Sequence, residues 1–122
     1  MSGHSSHTAL CRLSEIPDGE GRGFTIGEGE ARTLIAVFRQ GERVHGYINN
    51  CPHIGTPLDM IPDRFLTFDK RHILCATHGA RFRIHDGYCF TGPCQGERLK
   101  VVALKIAEGW VVVEGAGAEA PT

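Results

Sequence analysis

Sixteen glycines and six prolines are spread along a chain of 122 residues, and they leave little room for an uninterrupted helix. What lies between them reads as short strands. Thr8 to Leu13 is predicted as a first strand. The run "TLIAVFRQGERVHGYIN" is predicted as two strands joined at Gln40-Gly41-Glu42. Leu34, Ala36 and Phe38 alternate there with Ile35 and Val37, so the run is apolar on both faces. Leu99 to Ile106 and Trp110 to Glu114 are expected to form a second hairpin closed by Ala107-Glu108-Gly109, and "FRIHDGYCF" a short ribbon turning at Asp86-Gly87. The expected fold class is all-β. The chain has the length of one domain, 1–122, and its small, polar tail 115–122 is expected to fray.

Thirteen basic and 14 acidic side chains give a formal net charge of −1, with no basic stripe of the kind a nucleic-acid binder carries. No segment approaches the roughly 18 consecutive apolar residues of a membrane span. The first residues show neither a basic and apolar leader nor a twin arginine, so a soluble, cytoplasmic protein is expected. Five cysteines, an odd number, read in a reducing compartment as ligands or buried thiols and not as a disulfide framework.

Two short segments carry the chemistry. "CPHIGTPL" at 51–58 places Cys51 two residues before His53, and "CATHGARF" at 75–82 places Cys75 three residues before His78. Thiolate and imidazole together suit zinc, copper or iron; a hard cation would want oxygens. Zinc fingers usually pair Cys with Cys and His with His, whereas each segment here offers one of each. That mixture suits a two-iron cluster in which the sulfurs hold one iron and the nitrogens the other. Gly55 and Gly79 would let the backbone come close to inorganic sulfide and donate N–H groups to it. A zinc-stabilised structural or interaction module remains the competing reading, and a redox sensor that signals by losing its cluster is a third.

Cys51-x-His53 followed by Cys75-x-x-His78-Gly79 resembles the two cluster-binding boxes of Rieske 2Fe-2S proteins. The resemblance extends to "GRGFTI" before the boxes, and to "FRIHDGYC", "GPCQGERL" and "VVALKIAEGWVVV" after them. It is greatest to the small, stand-alone Rieske-type ferredoxins. It implies an antiparallel β-sandwich or barrel base with a small cluster-binding subdomain. It also implies one 2Fe-2S cluster, held at one iron by Cys51 and Cys75 and at the outer, solvent-facing iron by His53 and His78. Such proteins are one-electron carriers rather than enzymes. The implied donor is a separate flavin-dependent ferredoxin reductase, since this chain has no dinucleotide-binding glycine fingerprint. The implied acceptor is an oxygenase or another redox protein, since 122 residues leave no space for a second iron domain.

The departures from the family are specific. Twenty-one residues separate His53 from Cys75, and the excess "MIPDRFLTFDKRH" is expected to form an excursion between the loops. Thr56 and Thr77 stand where respiratory Rieske proteins carry a stapling cysteine pair. Ala80 and Phe82 stand where those proteins carry the Ser and Tyr hydroxyls that bond to cluster sulfur. Fewer donors to the reduced cluster place the expected potential near the low end of the Rieske span, about −150 mV. Cys89 and Cys94 are expected to be packing residues, with a local disulfide or extra ligation as the alternatives. Cys94 follows Gly92-Pro93 in a segment that resembles the family's proline-bearing cover over the cluster. Cys11 is expected in the core, and His45, His72 and His85 as surface imidazoles.

Overall fold

The computed structural model describes residues 7–27, 29–52, 57–59, 63–76 and 79–114. The calls on Gly55, Thr56, Thr77 and the tail 115–122 fall outside them. Ten strands occur among the described residues: β1 (His7–Arg12), β2 (Gly21–Ile26), β3 (Thr33–Gln40), β4 (Arg43–Ile48), β5 (His72–Leu74), β6 (Arg81–Arg83), β7 (Cys89–Thr91), β8 (Val101–Val102), β9 (Leu104–Ala107) and β10 (Trp110–Glu114). They build three antiparallel sheets, ordered β1-β10-β9, β2-β3-β4-β8 and β5-β6-β7. The all-β expectation holds. Among the described residues, no helix is long and apolar enough to cross a membrane.

Strand β3 explains its own two-faced sequence. Ile35 and Val37 enter one core with Cys11, Ile16, Val102, Val111 and Val113, between the first two sheets. Ala36 and Phe38, which point the other way, join a second core with Tyr47, Leu58, Phe65, Ile73, Phe82 and four of the five cysteines. A strand buried on both faces needs apolar residues at consecutive positions, and 35–38 supply them. The first core belongs to the base, and the second holds Cys51 and Cys75 of the two boxes. Within the second core, Phe38 meets Phe65 edge-on, with centroids 5.6 Å apart, and Tyr47 at 6.2 Å.

The hairpins follow the sequence closely. Gln40 pairs with Arg43, so Gly41-Glu42 is the turn, and Ala107 pairs with Trp110 across Glu108-Gly109. The expected strand Leu99–Ile106 is corrected. Val101–Val102 pairs with β4, whereas Leu104–Ala107 pairs with β10, so the chain changes sheet at Ala103. One continuous strand could not serve two sheets of the base, and the break at Ala103 stitches them together. Its carbonyl still accepts the Glu114 N–H at 2.9 Å.

The ribbon β6–β7 turns through Ile84 to Gly87. Asp86 fastens that turn by accepting the Tyr88 N–H at 3.0 Å and by a two-point pairing with Arg83. The Arg83 guanidinium holds the Asp86 carboxyl down at about 2. From the base, buried Tyr47 donates its hydroxyl to the Ile84 carbonyl at 2.5 Å. Burial, and then the nearby Asp86 charge, push the Tyr47 phenol up to about 12. Tyr47→Phe leaves that carbonyl buried without its donor, which should cost about 1–3 kcal/mol in denaturant unfolding. The folded pKa is raised, so this phenol contributes fully below its ordinary value of 10 and loses its contribution as pH rises through about 12. The difference in stability between wild type and variant should therefore shrink across that alkaline window.

Candidate metal centre

The first box leaves the end of β4 through Asn49, which is buried. Its side-chain oxygen accepts the Leu58 N–H at 2.7 Å, and its amide donates to Asp59 Oδ1 at 2.9 Å. Asp59 also accepts the Asp63 N–H at 3.1 Å, and Asp63 accepts the Gly23 N–H at 2.7 Å. A polar chain thus runs from the exit of the first box to the base, and it fixes both ends of the loop that begins at Cys51. Sequence reasoning missed Asn49 and Asp59. The only cue was an amide residue two positions before the first cysteine.

The second box is wound tightly on itself. Cys75 donates its N–H to the Ala80 carbonyl at 2.8 Å, and Gly79 donates to the Cys75 carbonyl at 2.9 Å. Gly79 has φ 77, and a Cβ there would meet nothing within 4 Å. The glycine is demanded by backbone conformation, and the space beside it is open. Ala76 donates to the Leu58 carbonyl at 3.1 Å, so the two boxes are hydrogen-bonded to each other. Beyond Ala80 the chain enters β6, so Arg81 and Phe82 are strand residues at the edge of the box.

Cys51 and Cys75 both lie buried in the second core, 1% and 0% exposed. His53 and His78 lie outside the described residues. Ala80 and Phe82 are fully buried and carry no hydroxyl. The turn after β7 closes over the second box. A Cβ on Gly92, where φ is 106, would stand 2.6 Å from the Ala80 Cα.

Within this cover, Cys94 donates its thiol to Cys89 Sγ at 3.2 Å, and Cys89 donates to the Thr91 carbonyl at 3.2 Å. Cys51 lies in the same core. Burial first, then Cys89 and Cys51, push the Cys94 thiol far above its usual range. Cys11 is in the base core, as expected. His45 faces Gln40, the His72 ring stacks near Phe90, and His85 lies beside Asp86, so none of the three joins the boxes.

The expected excursion is a hairpin that widens the third sheet. Leu66 bridges Ile73, Leu74 donates to the Phe65 carbonyl at 2.7 Å, and Thr67 donates to the His72 carbonyl at 2.9 Å. Phe65 is buried and anchors it, Lys70 pairs with Glu20 of the base, and Phe68 stands fully exposed at its tip.

The family described as Rieske [2Fe-2S] domain matches residues 6–108. This chain belongs to that family. A complex of reduced oxygenase and oxidised ferredoxin in carbazole 1,9a-dioxygenase contains a chain similar to this one at TM-score 0.71. The two are 26% identical over 90% of this chain and 94% of that one. The ferredoxin of carbazole 1,9a-dioxygenase from Nocardioides aromaticivorans IC177 shares the fold at TM-score 0.69 and 20% identity, over 91% and 99% of the two chains. The Sphingomonas yanoikuyae B1 ferredoxin gives TM-score 0.65 and 25% identity, over 88% and 96%. No curated protein matches this chain.

The Rieske assignment implies a 2Fe-2S cluster, and the described residues fit one. Two buried thiols sit on loops bonded to each other, with a positive-φ glycine bordering open space. Soft sulfur ligands secluded from water are what such a centre requires.

Proposed function

We propose that this Rieske protein is a one-electron carrier, taking electrons from a flavin-dependent reductase and passing them to a terminal oxygenase. In this reading Cys51 and Cys75 hold one iron and His53 and His78 the other, and the bound cluster supplies a reversible one-electron couple. The residues of the chain do the rest. The Asn49–Asp59 chain and the Cys75–Ala80 bond hold the boxes still, which keeps the rearrangement accompanying a change of charge small. The cover at Gly92 keeps water from the buried sulfurs.

The observation that carries the proposal is one of extent. The chain spans 94% and 99% of two chains from carbazole dioxygenase systems, the second of them a ferredoxin by itself. Coverage of nearly the whole of a ferredoxin chain favours a shuttle over an oxygenase. We place it in the cytoplasm, because five cysteines with no disulfide among them suit a reducing compartment.

The test is rapid mixing. Protein reduced beforehand is mixed anaerobically with an oxidised Rieske oxygenase. Reoxidation of one electron per chain, at a rate that depends on ionic strength, is expected. Failure to reoxidise with any such oxygenase, while a reductase reduces the protein readily, would remove the oxygenase from the proposal.

The zinc module is the second reading, because Cys51, Cys75, Cys89 and Cys94 share one core. Against it, no group of three or more His, Cys, Asp or Glu is placed to hold a metal ion among the described residues.

The low potential proposed for this carrier rests on the apolar side chains at 80 and 82. A hydroxyl donor to sulfur strengthens when the centre gains negative charge and so raises the potential. Ala80→Ser is expected to raise the midpoint by about 45 to 90 mV, the equivalent of about 1–2 kcal/mol in a one-electron couple. Phe82→Tyr is the less useful probe. Its ring is fully buried, and a hydroxyl forced into that packing should cost about 1–3 kcal/mol of stability. Direct electrochemistry with spectra of the intact centre checks the expectation. An unchanged or lowered midpoint in Ala80→Ser would mean that backbone donors or burial set the potential.

A further inference from the structure

The dithiol in the cover is unused by electron transfer through the boxes. Cys89 begins β7, and Cys94 lies five residues on, in the turn that follows Gly92-Pro93. Backbone hydrogen bonds close this loop before any sulfur chemistry occurs. Gly96 donates to the Cys89 carbonyl at 2.9 Å, Cys89 donates to the Glu97 carbonyl at 2.8 Å, and Glu97 donates to the Cys94 carbonyl at 2.9 Å. The two sulfurs are thereby held 3.2 Å apart. The chain entropy usually lost on joining two cysteines has already been given up in folding, so the pair has a high effective concentration of one thiol for the other.

The loop also touches the centre, through Gly92 against the Ala80 backbone, and its two thiols share a core with Cys51 and Cys75. Packing alone would be served by two apolar side chains and does not require two sulfurs to face each other.

We infer that Cys89 and Cys94 form a second redox site, a dithiol that closes reversibly to a disulfide and lowers the potential of the neighbouring centre when it closes. The oxidant is a low-molecular-weight disulfide of the glutathione class. Cys89, whose sulfur accepts the Cys94 S–H, attacks the small disulfide as the thiolate, forming a mixed disulfide and releasing one small thiolate. The second protein thiol then attacks the mixed disulfide and releases the other. The protein pair loses two electrons and two protons, and one S–S bond is broken for the one formed. The small disulfide is reduced to two thiols.

The consequence for the centre is electrostatic. As a thiol, Cys94 carries an S–H dipole within the core that it shares with Cys51 and Cys75, and such a dipole stabilises the more negative, reduced centre. As half of a disulfide it has no proton to present. The device makes the driving force for electron delivery respond to the thiol poise of the cell. It rests on the reading of Cys51 as a cluster ligand, although closure of the disulfide itself does not.

The experiment uses the holoprotein prepared anaerobically and equilibrated in buffers of graded reduced-to-oxidised glutathione ratio. Each sample is read by absorption spectrum and midpoint potential. It is then quenched in acid, alkylated and digested for mass analysis. The expected result is the loss of two alkylatable thiols together, a cross-link between residues 89 and 94, an intact spectrum and a lower midpoint at the oxidising end. Reducing buffer should reverse all of these. Cys89→Ser and Cys94→Ser should each show neither cross-link nor shift.

Full alkylation of both cysteines at every ratio that keeps the spectrum would overturn the inference, as would loss of the centre before any cross-link forms. A cross-link that leaves the midpoint unmoved would overturn the coupling. Iron and sulfide counted in the same samples separate these failures from failure of the cluster reading, because the cross-link is read whether or not iron is bound.

Discussion

Cys75→Ala is expected to yield protein with the base fold but with iron and labile sulfide near zero per chain. The reason is chemical. Cys75 is fully buried, and its backbone is held at both the N–H and the carbonyl by its own box. A cluster deprived of one of four ligands keeps an exposed coordination position and is not retained.

His53→Ala and His78→Ala should behave alike, since the proposed outer iron depends on both. Cys11→Ala is the matched control. It removes an equally buried thiol, but from the base core, and should cost some stability while leaving the metal content of wild type. Iron and sulfide assays on the four proteins, with circular dichroism to verify folding, decide the matter. Full iron content in Cys75→Ala would remove this residue from the ligand set.

Gly92→Ala is expected to be the most damaging substitution outside the ligands. Two independent penalties fall on one methyl group. The backbone at φ 106 is a conformation that side chains rarely adopt, and the new Cβ would lie 2.6 Å from the Cα of Ala80, 3.1 Å from its Cβ and 3.2 Å from its nitrogen. Two of those atoms are backbone in the second box, which cannot yield without disturbing Cys75. We expect a loss of about 2–5 kcal/mol, combining backbone strain with overpacking. For a domain of this size that corresponds to a fall in Tm of roughly 10–30 °C, accompanied by faster loss of colour on warming. Gly96→Ala is the comparison. Its φ of 96 imposes a similar conformational penalty, but a Cβ there would meet nothing within 4 Å. Equal melting of the two variants would show that the contact with Ala80 contributes nothing.

Local chemistry was legible in the sequence and long-range contact was not. Cys51 and Cys75 stood out because each box sets a Cys and a His within four residues, and both thiols are buried in one core. Residues 35–38 announced a strand buried on both faces because the requirement acts at each position separately. The turns at Gly41-Glu42 and Glu108-Gly109 were legible for the same reason.

The change of sheet at Ala103 could not be read, since Leu99 to Ile106 satisfies a strand pattern throughout and only the competition between β4 and β10 for partners breaks it. The excursion at 60–72 was visible as excess length, but its closure onto the third sheet depends on Phe65 finding Phe38 across the chain. The approach of Cys94 to Cys89, in the core that also holds Cys51, likewise depends on how the cover folds back over the boxes. Ala80 and Phe82 are a middle case. Their lack of hydroxyls was plain from the sequence, whereas the crowding of Ala80 by Gly92, which limits what can replace it, was not.

The central claim, a carrier of one electron on a Rieske cluster, is tested most directly by a reductive titration of anaerobically purified protein with its metals counted in the same sample. One reversible electron per chain, alongside two irons and two labile sulfides, is the result required. One tightly bound zinc per chain, with no labile sulfide and no electron taken up, would contradict it.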